Sequence, residues 1–180
     1  MERNLTLIAL FAALIAGLGL IPKFTLAFGV PITAQTLGVM LCGTVLGAKR
    51  GALAVLLFIA LVALGLPLLA GGRGGLGVFA SPTVGFLVGW PFAAFVTGLI
   101  VERWQGRLAL VASVASVVGG IVVLYVFGVV GMSITLGKTI PEAALLVTAF
   151  IPGDVLKAVL AGLITSGLAR SRPSSVLSRG

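Results

Sequence analysis

The sequence is a succession of uncharged apolar runs, each followed by only one or a few basic residues. Only 9% of its 180 residues are charged and 59% are hydrophobic, whereas a soluble domain carries roughly 25% charged residues. A hydrocarbon core about 30 Å thick requires roughly 20 apolar residues for each helical crossing. The runs are continuous and do not alternate with a period of two, which favours transmembrane helices over a β-barrel. The sequence therefore predicts an all-α, polytopic membrane protein without a separate soluble domain.

The apolar runs are long enough for about six crossings in a single membrane domain covering residues 1–180. The segment at 141–151 precedes a Pro-Gly-Asp helix-start signal and is predicted to be a short surface or re-entrant helix. The basic tail at 171–180 is predicted to be disordered. The six predicted crossings cover residues of about 5–21, 32–47, 51–70, 83–101, 108–130 and 153–170.

Basic residues are unevenly distributed when successive loops are assigned to opposite sides of the membrane. Only Lys23, Arg73 and Lys138 fall on one side. Cytoplasmic loops carry the excess of Lys and Arg, so both termini are predicted to be cytoplasmic and the start of the last helix to lie on the outer side. The net charge of +8 is thus a sign of topology, and no nucleic-acid partner is predicted. The residues on the basic side are Arg3, Lys49, Arg50, Arg103, Arg107, Arg170, Arg172 and Arg179.

Residues that enzymes use are scarce in this sequence. It contains no histidine, so Ser-His-Asp and Cys-His arrangements are excluded. Its carboxylates, Glu2, Glu102, Glu142 and Asp154, are scattered and form no obvious metal cluster. The segment 131–138 resembles a phosphate-binding loop, but five residues separate its glycines where that motif needs four. No catalytic residue, metal or cofactor is predicted, and any ATP hydrolysis must come from another subunit.

The strongest candidate for a binding site is the pair formed by Asp154 and Lys157 at the start of the last predicted helix. Ionisable groups inside membrane segments cost roughly 2.5–3.5 kcal/mol each and usually mark a pathway or a site. A spacing of three residues places both side chains on one helix face. The free N–H groups and the helix dipole at this end also favour an anion. The alternative is a structural ion pair that only neutralises itself.

Five further candidates lie on the same predicted outer side. Gln35 opens the second predicted helix and can both donate and accept hydrogen bonds. Arg73 and Gly75 belong to a glycine-rich loop whose backbone can approach a ligand closely. Phe79 can stack on a ligand ring, and Thr83 returns a hydroxyl to the membrane. Interfacial anchoring or loop flexibility explains these residues equally well.

The first predicted helix carries small residues at a spacing of four, in one series through Ala9 and Ala13 and another through Ala12 and Ala16. Such spacing lets two helices approach closely. Internal packing is the usual reason, but a stripe that faces outward can dock a membrane partner.

Four strings, in this order along nearly the whole chain, resemble the BioY family, the biotin-binding membrane subunits (S components) of energy-coupling factor transporters. The resemblance implies a multi-pass protein of the bacterial cytoplasmic membrane that captures biotin from the outer side. It also implies a transmembrane coupling subunit and ABC-type ATPases as partners, with Ala9, Ala12, Ala13 and Ala16 at the contact. The strings are PITAQTLG at 31–38, GGRGGLG at 71–77, SPT at 81–83 and IPGDVLK at 151–157.

Biotin has one carboxylate, one ureido ring and an apolar body, which suits these candidates. We expect Lys157 and the helix start to hold the carboxylate, Asp154 and Gln35 to bind the ureido group, and Phe79 to cover the ring; the two polar ends could be exchanged. The chain departs from the family at Phe86, where a tyrosine is usual, so a hydroxyl is missing there. The alternatives are an S component for another vitamin and a structural membrane protein without a ligand.

Overall fold

A computed structural model describes residues 2–25 and 30–179 of the chain. Most of these residues are helical, which confirms the predicted all-α fold. The two strands in the described part, β1 (Phe24–Thr25) and β2 (Pro31–Ile32), form a short antiparallel pair. The helices are α1 (Glu2–Leu18), α2 (Gln35–Leu46), α3 (Ala48–Ala63), α4 (Val84–Arg103), α5 (Leu108–Val117), α6 (Leu124–Leu136), α7 (Ile140–Val147) and α8 (Ile151–Ser171).

Three helical stretches in the described part are long and apolar enough to cross a membrane. The first is α4 itself, with 20 residues. The second, Leu108–Leu136, joins α5 to α6 through a π-helical segment at Val118–Val123. The third, Ile140–Ser171, contains α7, a 3₁₀ turn and α8. The shorter α2 is also apolar, but its 12 residues span only about 18 Å at 1.5 Å per residue.

Helix α2 lies at the centre of the bundle, between α1, α3, α4 and α8. Every one of its residues from Gly38 to Leu46 is buried, so it needs no polar face. The chain turns at Gly47, where a φ of 84° favours glycine, and α3 follows immediately. The Glu102 carboxylate accepts a hydrogen bond from the Ala48 N–H at 2.8 Å and thereby satisfies a free donor at the start of α3.

Glycines allow the helices to touch at the end of the bundle where α2 terminates. A Cβ on Gly43 would lie 2.5 Å from the carbonyl oxygen of Ala94 in α4. A Cβ on Gly162 in α8 would collide with the Ala109 carbonyl and the Ser113 hydroxyl of α5. Backbone contacts of this kind leave no room for a ligand between the helices at these glycines. We call this part of the bundle, formed by 43–48, 94–102, 109–116 and 161–165, the closed end.

The other end differs from the sequence prediction in two places. The third predicted crossing, 51–70, is shorter, because α3 ends at Ala63 and the following loop folds back to bury Leu69 and Ala70. The predicted segment 141–151 is formed by α7 and a 3₁₀ turn at Thr148–Phe150, and α8 continues directly from them. Both differences draw chain towards the middle of the bundle at this end.

The structure corrects the prediction of a disordered tail at 171–180. Short 3₁₀ turns at Pro173–Ser175 and Leu177–Arg179 bring Val176, Leu177 and Ser178 into buried positions. The Ser178 hydroxyl donates to the Thr44 carbonyl at 2.5 Å. The basic composition suggested disorder, but two apolar residues in this tail cover the closed end.

Candidate functional site

A cavity opens between the N-terminal ends of α2, α4 and α8, the start of α6 and the loop between α3 and α4. Its empty volume, which includes open solvent at the mouth, is about 560 Å³. The predicted site residues that line this cavity are Gln35, Arg73, Thr83, Asp154 and Lys157.

Asp154 and Lys157 form an ion pair in the cavity wall, with 2.7 Å between Nζ and Oδ1. The Lys157 ammonium also donates to the Thr36 hydroxyl at 3.0 Å, and Thr36 donates to Asp154 Oδ1 at 3.2 Å. Tyr125 donates to the second carboxylate oxygen, Oδ2, at 2.8 Å. We call Thr36, Tyr125, Asp154 and Lys157 the charged cluster. It joins three helices, α2, α6 and α8, at one point of the cavity.

The charged cluster is nearly withdrawn from solvent, since the Lys157 and Asp154 side chains are only 14% and 6% exposed. Taking two charges out of water is repaid only where the geometry and the additional hydrogen bonds are good. Here the carboxylate receives hydrogen bonds on both oxygens. The charged cluster thus places opposite charges beside an open volume. A polar ligand in that volume can replace some of the hydrogen bonds within the cluster by its own.

Arg73 provides a second cation at the mouth of the cavity. Its Nε donates to the Ala70 carbonyl at 3.4 Å, and within the described part of the chain the guanidinium makes no other hydrogen bond. Lys23 donates to the same carbonyl at 3.3 Å. Partial burial lowers the pKa of the Arg73 guanidinium from its ordinary value, although an arginine stays charged at neutral pH. The mouth therefore carries positive charge and N–H groups with capacity to bind an anion.

Gln35 lines the cavity, but its amide already bonds within the protein. Its Nε2 donates to the carbonyls of Ile15 and Leu68, each at 3.1 Å, and its Oε1 accepts from the Ala70 N–H at 3.0 Å. Gln35 is 1% exposed. These bonds fix the returning loop against α1 and α2, so the side chain positions the wall that carries Arg73.

Thr83 lies at the N-terminal end of α4, and its hydroxyl lies 2.7 Å from that of Ser81. Ser81 donates its own proton to the Val78 carbonyl at 2.6 Å. A hydroxyl has a single proton, so Thr83 is the donor between the two. Its oxygen keeps a lone pair for a donor inside the cavity.

Gly75 and Phe79 are not among the residues that line this cavity. The Gly75 N–H donates to the Val62 carbonyl at 2.8 Å, with φ at 78°, and a 3₁₀ helix at Leu76–Ala80 follows. That turn directs Val78 inward, whereas Phe79 lines a separate apolar groove between α3 and α4. Ligand contacts by these two residues remain predictions from the sequence.

The sequence reasoning missed Tyr125 and gave Thr36 no role. Tyr125 is the single tyrosine of the chain and lies inside a long apolar run, which is a signal that was available. A buried hydroxyl in such a run needs a partner, and the membrane-embedded carboxylate of Asp154 is an acceptor of the required kind. Thr36 is one residue from Gln35 and starts the same helix, so it belongs to the same wall.

Aromatic side chains form an apolar wall opposite the polar groups. Phe86, Trp90 and Phe150 line the cavity. The Phe86 ring meets Tyr125 edge-on at 6.5 Å and Phe150 edge-on at 5.8 Å, measured between ring centroids. A tyrosine hydroxyl at position 86 would thus have lain beside other aromatic rings. The Phe86 ring keeps its contacts with Tyr125 and Phe150 without that hydroxyl.

The structure divides the alanine stripe of α1 into two faces. Ala9 and Ala13 are exposed on the outside of the bundle. Ala12 is 3% exposed and Ala16 packs against the core. An α-helix places residues four apart on one face and turns by about 100° for each residue. The Ala9–Ala13 series and the Ala12–Ala16 series therefore lie on different faces of α1. Ala12 is therefore buried within this chain and Ala16 is half-buried, and contact of the four alanines with a membrane partner stays a prediction from the sequence.

Comparisons with known proteins agree with this fold. A model of the BioY family matches residues 2–174. The biotin transporter BioY of Rhodobacter capsulatus is 55% identical over 100% of both chains, and that of Rhizobium etli is 57% identical over 90% of each. The crystal structure of the S-component for biotin from an ECF-type ABC transporter matches with a TM-score of 0.87 and 30% identity, over 94% of this chain and 92% of that one. The chain therefore belongs to the BioY family.

Proposed function

We propose that this protein is a biotin-binding membrane subunit that captures biotin from the outer side of a bacterial cytoplasmic membrane and mediates its uptake. Relatives at 55% and 57% identity bear the name of biotin transporters, and the similar solved structure is an S-component for biotin. The observation that carries the proposal is the charged cluster beside an open cavity with an aromatic wall. Biotin needs both features, because it joins a polar ureido ring and a carboxylate to an apolar body.

The hydrogen bonds of the site favour one orientation of biotin. Lys157 already bonds Asp154 and Thr36, whereas Arg73 has N–H groups to spare near the mouth. Arg73 suits a carboxylate especially well because its guanidinium can donate two parallel hydrogen bonds. We therefore assign the carboxylate to Arg73, and the ureido group to Asp154, Lys157 and Thr36. This is the exchanged form of the assignment expected from the sequence.

Arg73→Gln distinguishes the two orientations. The variant should bind biotin at least ~10-fold more weakly, since it loses a charge-assisted bond worth about 1.5–3 kcal/mol. Biotin methyl ester, which lacks the anionic carboxylate, should bind the variant and the wild type equally well. An equal loss for both ligands would assign Arg73 to another part of the molecule.

The orientation in the membrane follows from charge. Positive residues concentrate at the closed end and the termini, as expected for the cytoplasmic side, so the cavity opens outward. Six crossings, α1, α2, α3, α4, the joined α5–α6 and α8, with α7 as an additional surface helix, give cytoplasmic termini. This protein needs ATPase subunits and a coupling subunit for ATP-driven uptake, and Ala9 and Ala13 are the stripe residues exposed for such a contact.

A thermal-stability assay with a panel of vitamins tests the proposal. Biotin at 100 times its Kd should stabilise the purified protein by about 2.7 kcal/mol, and other vitamins should have no effect. Stabilisation by a different vitamin alone would favour an S component for that vitamin. No stabilisation by any vitamin, with no small molecule identified by mass spectrometry after purification, would favour a structural membrane protein.

A further inference from the structure

Three buried polar atoms in the described part of the chain have no hydrogen-bond partner: Trp90 Nε1, Ser116 Oγ and Arg179 Nε. Of these residues, only Trp90 lines the cavity. Arg179 uses its other nitrogens on Gln105 and on the Trp104 carbonyl. An indole has one N–H and no other polar atom, so Trp90 makes no hydrogen bond at all. Buried donors are nearly always paired in native proteins, and an exception calls for an explanation.

The position of Trp90 makes a ligand the natural partner for this donor. The side chain is 5% exposed and lies about two turns along α4 from Thr83. Its ring packs against Phe58 of α3, a residue that does not line the cavity, with 5.9 Å between the ring centroids. Leu87 and Leu124 accompany it in the cavity lining. The donor therefore belongs to an apolar part of the wall, apart from the charged cluster.

We propose that the Trp90 N–H donates a hydrogen bond to the ureido oxygen of the bound ligand, and so fixes the depth and orientation of the bicyclic ring. This inference depends on the proposed function, because it takes biotin as the ligand. Biotin has three acceptors, of which the carboxylate suits a cation and the thioether sulfur accepts only weakly. The ureido oxygen is a strong neutral acceptor and matches a neutral donor. Asp154 then accepts from a ureido N–H on the same ring.

Trp90→Phe tests the hydrogen bond, since it retains an aromatic ring beside Phe58 and removes only the N–H and part of the ring area. Biotin should bind ~10-fold more weakly, and dethiobiotin, which retains the ureido group but lacks sulfur, should lose the same factor. Equal affinity of variant and wild type for biotin would overturn the inference. A loss for biotin but not for dethiobiotin would also overturn it, because the sulfur would then be the acceptor.

Nuclear magnetic resonance of the wild-type protein provides a measurement that does not depend on folding of the variant. The chain has two tryptophans, and Trp104 lies at the far end of α4, where it is 45% exposed. With ¹⁵N-labelled indoles and Trp104→Phe for assignment, the Trp90 indole proton should move downfield on addition of biotin, and that of Trp104 should not move. An unmoved Trp90 signal in protein saturated with biotin would overturn the inference. Absence of biotin binding by the wild type would instead contradict the proposed function.

Discussion

The two ends of the bundle differ in their buried polar groups. At the closed end the buried threonines bond within the chain: Thr165 donates to Thr44 at 2.8 Å, and Thr97 donates to the Ala115 carbonyl at 3.3 Å, while the Ser116 hydroxyl has no partner. At the cavity end, formed by 33–36, 69–73, 83–90 and 150–157, a nearly buried ion pair lies beside an open volume. The same helices α2, α4 and α8 contribute to both ends.

This difference indicates that the closed end holds the helices together and that the cavity end binds a ligand. Backbone contact at Gly43 and Gly162 holds the helices together where no ligand needs to enter. The cavity end also has a close glycine contact, between Gly85 of α4 and the backbone of α6, but its cations and the Trp90 N–H retain bonding capacity beside the open volume. A ligand can therefore complete the cavity end without opening the closed end. The following substitutions test this division, from the largest expected effect to the smallest.

Lys157→Met should lower the free energy of unfolding by about 3–5 kcal/mol, because it leaves the Asp154 carboxylate buried without a cation. The double variant Asp154→Asn with Lys157→Met should recover most of this loss, since no unpaired charge remains. Reversible unfolding in mixed detergent micelles measures both. An unchanged stability of the single variant would mean that the pair contributes nothing to the cavity end.

Gly162→Ala should lower the free energy of unfolding by about 2–3 kcal/mol, because the new methyl group collides with the backbone of α5. Gly167→Ala is the matched control on the same helix, since nothing lies within 4 Å of its added carbon, and it should cause no loss. The same unfolding assay applies. Equal effects of the two substitutions would contradict tight packing at the closed end.

Tyr125→Phe should weaken biotin binding by about 2 kcal/mol, or roughly 30-fold, because it removes a hydrogen bond to a charged oxygen and frees the carboxylate to move. Calorimetric titration with biotin measures the change. Phe127→Leu, on the same helix but stacked on Phe92 on another face, serves as the control and should retain affinity. Similar losses in both variants would point to general damage to α6.

Ser178→Ala should lower the free energy of unfolding by about 1 kcal/mol, because the Thr44 carbonyl loses a buried donor. Biotin affinity should not change, since the tail lies at the closed end. Ser174→Ala, a neighbouring exposed serine, is the control and should leave stability unaltered. A loss of biotin affinity in Ser178→Ala would contradict the separation of the two ends.

The sequence predicted the features that depend on charge and hydrophobicity. Continuous apolar runs were sufficient for the helical membrane fold, and the cost of Asp154 and Lys157 in such a run was sufficient to locate the cavity wall. The sequence could not show that Gln35 bonds inside the protein, because its partners at Ile15, Leu68 and Ala70 come from distant segments. Long-range pairing of this kind has no local pattern.

Features that depend on side-chain direction were also beyond the sequence. A uniformly apolar helix has no periodicity to show which face Tyr125 or Trp90 takes. In the glycine-rich loop, a single 3₁₀ turn decides that Arg73 lines the cavity and Phe79 does not. The tail was misjudged because its four serines and two arginines outnumber the two apolar residues, Val176 and Leu177, that bury it.

The most direct test of the central claim is the affinity for biotin of the charge-neutral double variant, Asp154→Asn with Lys157→Met, measured by calorimetric titration in detergent. Because this variant keeps the volume of the cavity wall and avoids an unpaired charge, it should remain folded. We expect biotin to bind it at least ~100-fold more weakly than the wild type, a change of about 2.7 kcal/mol. Wild-type affinity in the folded double variant would contradict the account, because the charged cluster would then be structural only.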